Sequence, residues 1–152
     1  MKADPIPDPG LELPEPWTLC LYTGSERLFA SERHWLHPLF ELEAYFARSG
    51  QDPRQTRVVD RVTGRAAAFL LVRLGIPELH TLVLSRRAIP VLARHAIQCR
   101  FREQVDRIGC ATEDLLAQTE DPGAAWSILQ ERRAGGSLRT NQSPSEANRR
   151  ST

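Results

Sequence analysis

The sequence predicts one α/β domain built on a mixed β-sheet with helices on both faces. A hairpin pattern opens the globular part, because the alternating segment WTLCLYT is followed by a Gly24-Ser25 turn and a return strand. Strand-like and helix-like segments then alternate, which is typical of sheets with parallel strands. One helical segment is apolar nearly all round, as expected for a helix in the middle of a domain.

Each element is predicted from its periodicity and from its flanking residues. Gly75 is the expected C-cap of the apolar helix, Pro90 predicts a kink or a late start in the next helix, and Gly135-Gly136 is expected to close the last one. The predicted elements are strands at 17–23 and 28–31, a helix at 38–48, a strand at 57–59, a helix at 61–74, a strand at 79–84, a helix from 85 to about 95, a strand at 97–101, and helices at 112–118 and from 122 onward.

Composition separates the domain from its two ends. Residues 1–16 are Pro-rich and acidic and predict a disordered, extended arm. Residues 134–152 are rich in Gly, Ser and Asn and predict a disordered tail. The single domain is therefore expected at 17–133.

Charge, hydropathy and cysteine content exclude several classes of protein. A net charge of +1 gives no reason to expect a nucleic-acid partner. The longest apolar stretch, 66–72, is too short to span a bilayer, and the amino end lacks the apolar region of a signal peptide. Three widely spaced cysteines do not form a disulfide framework, so we expect a cytoplasmic protein.

The first candidate site follows the predicted strand at 57–59. If Asp60 caps a helix, its carboxylate accepts from the first backbone amides and favours the positive end of the helix dipole. Arg61 and Arg65, four residues apart, can then share one side of the helix end and hold a phosphate or carboxylate. Gly64 indicates that a helix or a ligand approaches the backbone closely. The alternative is an ordinary Asp cap, a packing glycine and two solvated arginines.

The second candidate site is Ser85, which stands at the start of the next predicted helix and is followed by Arg86 and Arg87. A serine hydroxyl and two arginines at a helix start can bind an anion. The alternative is a serine cap with surface charge.

The third candidate is Cys110, at the start of the predicted helix 112–118. A cysteine at a helix N-terminus has a lowered pKa, and Glu113 lies at the right distance to act as an acid or base or as part of the cap. The alternative is a structural cysteine. Cys20 and Cys99 lie in predicted strands and are expected to be small core residues.

Metal binding is poorly supported by the sequence. His34 and His37 have a spacing that could chelate, but no cysteine pair has C-x-x-C spacing, and a zinc site needs three or four converging ligands. We therefore expect no metal and no cofactor.

These segments also carry a family resemblance. The run DRVTGRAAA at 60–68, a serine after the following strand and the CATE segment at 110–113 resemble an uncharacterised prokaryotic family, domain of unknown function 1893, over most of residues 17–131. The residues that match the family pattern are Asp60, Gly64, Ser85, Cys110 and Glu113. In place of the family's two lysines stand Arg61 and Arg65, which keep the charge but cannot act as amine nucleophiles. The family's Pro-Met before its glutamate is Ala111-Thr112 here.

The resemblance implies a cytidine-deaminase-like, three-layer fold. In true deaminases the zinc ligands open two successive helices. Here those places are taken by 60–62 and 85–88, which contain no zinc ligand set. Zinc-dependent base deamination is therefore not expected.

Three functions follow as hypotheses. The first is the binding of a small anionic ligand or nucleotide at the helix starts of Asp60 and Ser85, with Arg61 and Arg65 near the anion. The second is a zinc-independent enzyme in which Cys110 is the nucleophile and Asp60 or Glu113 transfers protons. The third is an interaction module that forms a homodimer. The sequence alone leaves open whether any reaction is catalysed.

Overall fold

The predicted hairpin and the strands that follow it form part of a six-stranded sheet in the computed structural model, which describes residues 4–108 and 111–140. The strands are β1 (Ile6–Pro7), β2 (Leu19–Thr23), β3 (Glu26–Ser31), β4 (Arg57–Thr63), β5 (Glu78–Ser85) and β6 (Gln98–Val105). The helices are α1 (His37–Ser49), α2 (Arg65–Leu74), α3 (Ile89–Arg94), α4 (Ala111–Leu115) and α5 (Pro122–Thr140), and short 3₁₀ turns lie at Pro53–Gln55 and Arg86–Ala88.

The sheet is mixed, as the sequence predicts. Its strand order is β1-β6-β5-β4-β2-β3. β2 runs antiparallel to both β3 and β4, whereas β4, β5, β6 and β1 run parallel to one another. The carboxyl ends of β4 and β5 therefore meet at one edge of the sheet, beside the amino end of β2.

Glycine and proline set several helix ends where the sequence places them. Gly75 ends α2 with a left-handed φ of 81°, a conformation that glycine adopts without a Cβ clash. The predicted late start of the helix around Pro90 is confirmed, because a 3₁₀ turn precedes α3 and Pro90 lies in its first turn. By contrast, α5 continues through Gly135-Gly136 to Thr140 instead of closing there.

The prediction of helices on both faces of the sheet differs from the structure. Side chains from α1, α2, α3 and α5 all belong to one core cluster with Leu19, Val58 and Leu79 of the sheet. The crossovers from β4 to β5 and from β5 to β6 step in the same direction across the sheet. Because such crossovers are right-handed, both of their helices fall on the same face.

The opposite face is covered by the N-terminal segment, which the sequence predicts to be a disordered arm. Leu11 and Leu13 are buried against Cys20, Val59 and Leu82 in a second core cluster. β1 extends the sheet beyond β6. A sheet with helices on one face leaves apolar side chains exposed on the other, and the two leucines bury them.

The boundary between β4 and α2 also differs from the prediction. Asp60 lies inside β4 rather than at a helix N-cap, and Gly64 occupies the position before α2. Val62 and Thr63 are β-branched, which favours strand, and they pair with the end of β5. Arg61 is therefore a strand residue, and Arg65 is the first residue of the helix.

In the part of the chain that the structure describes, no helix has the length and apolar character needed to cross a membrane.

Candidate functional site

A cavity of about 230 Å³, which we call the main cavity, opens at the carboxyl end of β4. It lies beside the amino end of β2 and the carboxyl end of β4, and ligands in open α/β sheets commonly bind outside the carboxyl ends of strands. Its walls are mostly apolar, and its polar side chains include Asp60, Thr112 and Glu113. The apolar residues of the wall are Leu19, Trp35, Leu36, Pro38, Leu39, Val62, Ala66, Ala67 and Ile108.

Trp35 and Val62 form part of the exposed wall of the main cavity. Trp35 is 39% exposed and has a φ of 60°, a conformation that is strained for a residue with a bulky side chain. A second cavity of about 130 Å³ adjoins the first, and the two share Trp35, Pro38, Asp60 and Val62. Asp60 therefore lines both cavities.

The carboxyl group of Asp60 is buried. Its Oδ1 accepts from the backbone N–H of Arg61 at 2.9 Å, and its Oδ2 lies 2.9 Å from the hydroxyl of Thr63. Burial raises the pKa of Asp60 from 3.8 to about 7, although hydrogen bonds from Thr63 and from the backbone of Arg61 and Val62 oppose the rise. A carboxyl group with this pKa can exchange a proton near neutral pH.

Glu113 bridges α4 and α2. Its Oε2 accepts from the backbone N–H of Arg65 at 3.0 Å and its Oε1 from the N–H of Ile108 at 2.8 Å. A carboxylate at the first turn of a helix satisfies a free amide and favours the positive end of the helix dipole. The predicted anion site at this helix start is therefore filled, in part, by a carboxylate of the protein itself.

Gly64 explains how Glu113 comes so close. A Cβ at residue 64 would lie 2.5 Å from the side chain of Ile108 and 2.9 Å from Glu113 Oε2. The prediction that a group approaches this glycine closely is confirmed, and the group is a pair of side chains from the chain around α4.

The guanidinium group of Arg65 is directed towards the chain after α4. It donates to the carbonyls of Leu116 at 2.8 Å, Arg87 at 3.2 Å and Thr119, and it pairs with Glu120 at 3.2 Å. Arg65 is buried, so these bonds hold the segment after α4 against α2.

Arg61 is directed towards the N-terminal segment. Its guanidinium donates to the carbonyls of Trp17 at 2.7 Å and Leu13 at 3.3 Å, and it lies 3.7 Å from Glu15. Arg61 and Arg65 are thus not together on one side of a helix end, because one lies in β4 and the other in α2.

Ser85 is the predicted N-cap, since its hydroxyl accepts from the backbone N–H of Arg87 at 3.2 Å. It is fully buried and does not line the main cavity. Arg86 pairs with Asp106 and Arg87 with Asp114, so both neighbouring charges already have carboxylate partners. Within residues 4–108 and 111–140, Ser85 lines neither of the two cavities that Asp60 lines.

Cys110 and Gly109 lie outside the described residues, so the predicted thiol site stays a prediction. The two other cysteines are core residues, as predicted: Cys20 and Cys99 are buried. Burial raises the pKa of Cys99 to about 12 and also raises that of Cys20. Both thiols are therefore protonated near neutral pH and poorly reactive.

Two parts of the site were not predicted from the sequence: the wall formed by residues 35–39, and the buried hydroxyl groups of Thr63 and Thr81. Pro38 could have predicted where α1 begins, because proline is common in the first turn of a helix. Trp35 stands just before this turn. Thr81 could have indicated a buried polar contact, since a hydroxyl group that is buried in a strand needs a hydrogen-bond partner. Among residues 4–108 and 111–140, no group of three or more His, Cys, Asp or Glu side chains is placed to hold a metal ion.

Comparison with known proteins places the chain in a family. The model of the family described as Domain of unknown function (DUF1893) matches residues 13–132. The crystal structure of a DUF1893 family protein from Thermotoga maritima is similar, with a TM-score of 0.69 and 23% sequence identity over 76% of this chain and 80% of that chain. At this identity the likeness shows the fold alone. No curated protein matches the sequence.

The family match includes β2 to β6 and the main cavity, and β1 with Leu11 precedes it. The chain belongs to the DUF1893 family.

Proposed function

We propose that the protein binds a small molecule in the main cavity, with the apolar part of the ligand against Trp35 and Val62 and its polar group towards Asp60. One observation supports this proposal above all: the cavity is mostly apolar, lies at the carboxyl end of β4 and is lined by the buried side chain of Asp60. Sites for small molecules are typically apolar with a few placed polar groups.

The volume and the backbone limit the ligand. Pockets that bind drug-sized ligands have volumes of roughly 300–1,000 Å³, so a cavity of about 230 Å³ suits a smaller molecule. Ala66 and Ala67 line the cavity in the first turn of α2, and within the described residues no acceptor is found for their N–H groups. An acceptor atom of the ligand can bind there.

The charge around the cavity favours an uncharged or weakly basic ligand over an anion. A phosphate or carboxylate would have to draw Arg61 or Arg65 away from the backbone carbonyls that they bind. It would also lie close to two carboxyl groups, Asp60 and Glu113. We therefore propose a small-molecule ligand that is uncharged or weakly basic. The anionic ligand of the first hypothesis is the alternative that the screen also tests.

A thermal-shift screen of small uncharged, basic and acidic compounds tests the proposal. A ligand at 100 times its Kd stabilises the protein by about 2.7 kcal/mol, which raises the Tm by several degrees. Val62→Phe adds a phenyl group to the wall of the main cavity and should abolish the shift. The matched control is Leu115→Phe, which changes another exposed side chain that does not line the cavity and should keep the shift. Equal shifts in both variants would place binding elsewhere and contradict the proposal.

We also propose, on the resemblance, that the fold is of the cytidine-deaminase type. The hairpin, the parallel strands β4, β5 and β6, and helices that begin just after β4 and β5 support it, whereas the packing of the helices on one face of the sheet differs from the three layers that the resemblance implies. An experimental structure in which strands β2 to β6 have a different order would contradict it.

A further inference from the structure

Asp60 is one end of a chain of three polar side chains that runs into the sheet. Thr63 Oγ1 lies 2.9 Å from Asp60 Oδ2 and 3.0 Å from Thr81 Oγ1, and Thr81 Oγ1 lies 3.1 Å from the backbone oxygen of Val83. All three distances are those of hydrogen bonds. Thr63 and Thr81 are fully buried.

The number of available protons decides which group donates in each of these hydrogen bonds. Three hydrogen bonds need three protons, two threonine hydroxyls supply two, and the oxygen of Val83 can only accept. All three hydrogen bonds can form together only when Asp60 is in its acid form and donates its proton to Thr63. When Asp60 is ionised, Thr81 donates to Thr63 and Thr63 donates to Asp60, so the bond to Val83 is lost.

Across the described ranges, 4–108 and 111–140, no positive side chain forms an ion pair with the carboxyl group of Asp60. Of the charged groups near it, Arg61 and Arg65 bind backbone carbonyls, and Glu113 is itself acidic. Arg33 and His34 line the smaller cavity, which Asp60 also lines, and Arg33 pairs with Glu41 at 3.5 Å. A positive charge brought by a ligand would fill this lack.

We infer that the ligand of the main cavity is an uncharged weak base that takes the proton of Asp60 on binding and is held as a cation against the resulting carboxylate. This inference rests on the proposed function. The proton leaves Asp60 Oδ2 for the lone pair of a ligand nitrogen, and the hydroxyls of Thr63 and Thr81 reverse, so that protons and charge are conserved. The raised pKa of Asp60 agrees with an acid form that is present up to neutral pH.

Three probes of similar size separate the possibilities: benzimidazole, which is weakly basic, indole, which has nearly the same shape without a basic nitrogen, and benzoate, which is an anion. Binding is followed by titration calorimetry between pH 5 and 9. Benzimidazole should bind at least about tenfold more tightly than indole or benzoate near pH 6. Its affinity should fall about tenfold per pH unit above the pKa of Asp60, where the free protein has already lost the proton. Asp60→Asn, which has no proton to transfer, should remove both effects.

Equal affinity for indole and benzimidazole, or an affinity for benzimidazole without this pH dependence, would overturn the inference. If Val62→Phe still blocks that binding, the proposed function stands. Preferred binding of benzoate would overturn the inference in favour of the anionic ligand. If no probe binds, the inference also fails, and the wider screen then decides on the proposed function by itself.

The hydroxyl chain has its own test, which needs no ligand. Thr81→Val keeps the side-chain shape and removes the acceptor that draws the Thr63 proton away from Asp60. In the acid form Thr63 then loses the acceptor for its proton, whereas in the ionised form Thr63 still donates to the carboxylate, so the pKa of Asp60 should fall by about one pH unit. The carboxyl carbon of Asp60, followed by NMR in wild type and in Thr81→Val, reports this midpoint directly. Thr81 does not line the main cavity, so a role in packing alone would leave the midpoint unchanged, and an unchanged midpoint would overturn the chain.

Discussion

Asp60 is the residue on which the chemistry of the main cavity depends, and burial makes it costly in its ionised form. Because its pKa is about 7 in the folded protein and 3.8 in the unfolded chain, the folded protein keeps a proton that the unfolded chain releases over this range. The free energy of unfolding therefore decreases as the pH rises from about 4 to 7 and stays lower above pH 7.

We predict that Asp60→Asn removes this pH dependence. The shift in pKa corresponds to about 4 kcal/mol as an upper value. The Tm of wild type should therefore fall by several degrees between pH 4 and 8, whereas the Tm of the variant should not. Urea unfolding of both proteins at pH 5 and pH 8 measures the difference. Parallel pH profiles for the two proteins would contradict a raised pKa.

The sequence indicated Asp60 and Gly64 as site residues. It predicted Asp60 as a helix N-cap, whereas in the structure Asp60 lies in β4 and Gly64 precedes α2. Their chemical types were informative: a carboxylate among apolar residues and a glycine before a run of alanines both need an explanation. The hydrogen-bond partners of Asp60 are close in sequence, whereas Ile108 and Glu113, which lie against Gly64, come from far along the chain and were not predictable. The direction of a side chain such as Arg65 depends on packing that no local pattern encodes.

The helix α2 shows how one element depends on another. Its first N–H group is capped by Glu113 from α4, and the guanidinium of its first residue, Arg65, holds the carbonyls that follow α4. A cap that comes from a distant part of the chain couples the stability of the two segments.

We predict that Glu113→Gln lowers the free energy of unfolding by about 1–3 kcal/mol. The amide has only one acceptor oxygen, so its NH₂ group must face the N–H of either Arg65 or Ile108, and the charge opposite the helix dipole is lost. Denaturant unfolding measures the change. The control Glu103→Gln alters an exposed residue of β6 and should change stability by less than about 0.5 kcal/mol. A similar small effect in both variants would show that the cap contributes little.

Most elements were predictable because their signals are local. The hairpin turn and the ends of α1 and α2 follow from Gly24, Gly50 and Gly75, all of which have positive φ angles. The end of β4 was not predictable in this way. Asp60 has the residue type of an N-cap, and the pairing of Val62 and Thr63 with β5 outweighs that local preference.

In the molecule as a whole, the N-terminal segment takes the place that helices were expected to fill. Its two leucines complete a second core on the open face of the sheet. Proline content predicted an arm because prolines cannot continue a helix or a central strand, and the alternating leucines among them were too few to indicate burial. Arg61 and Arg102 bind carbonyls of this segment and hold it in place.

We predict that Leu11→Ala lowers the free energy of unfolding by about 2 kcal/mol, since it removes a buried side chain that packs against the sheet. Leu115→Ala, at an exposed position, should change it by less than about 0.5 kcal/mol. Thermal unfolding of both variants measures the difference. A neutral Leu11→Ala would mean that the segment before the family match adds nothing to the domain.

The pairing of β1 with β6 has a consequence for the order in which the protein is made. Ile6 lies beside Arg100, so β1 is made more than ninety residues before the strand that it pairs with. Contacts between such distant parts of a chain form slowly. Until β6 has been made, the backbone groups of β1 have no strand to pair with, and an unpaired strand is a place where a newly made chain can aggregate.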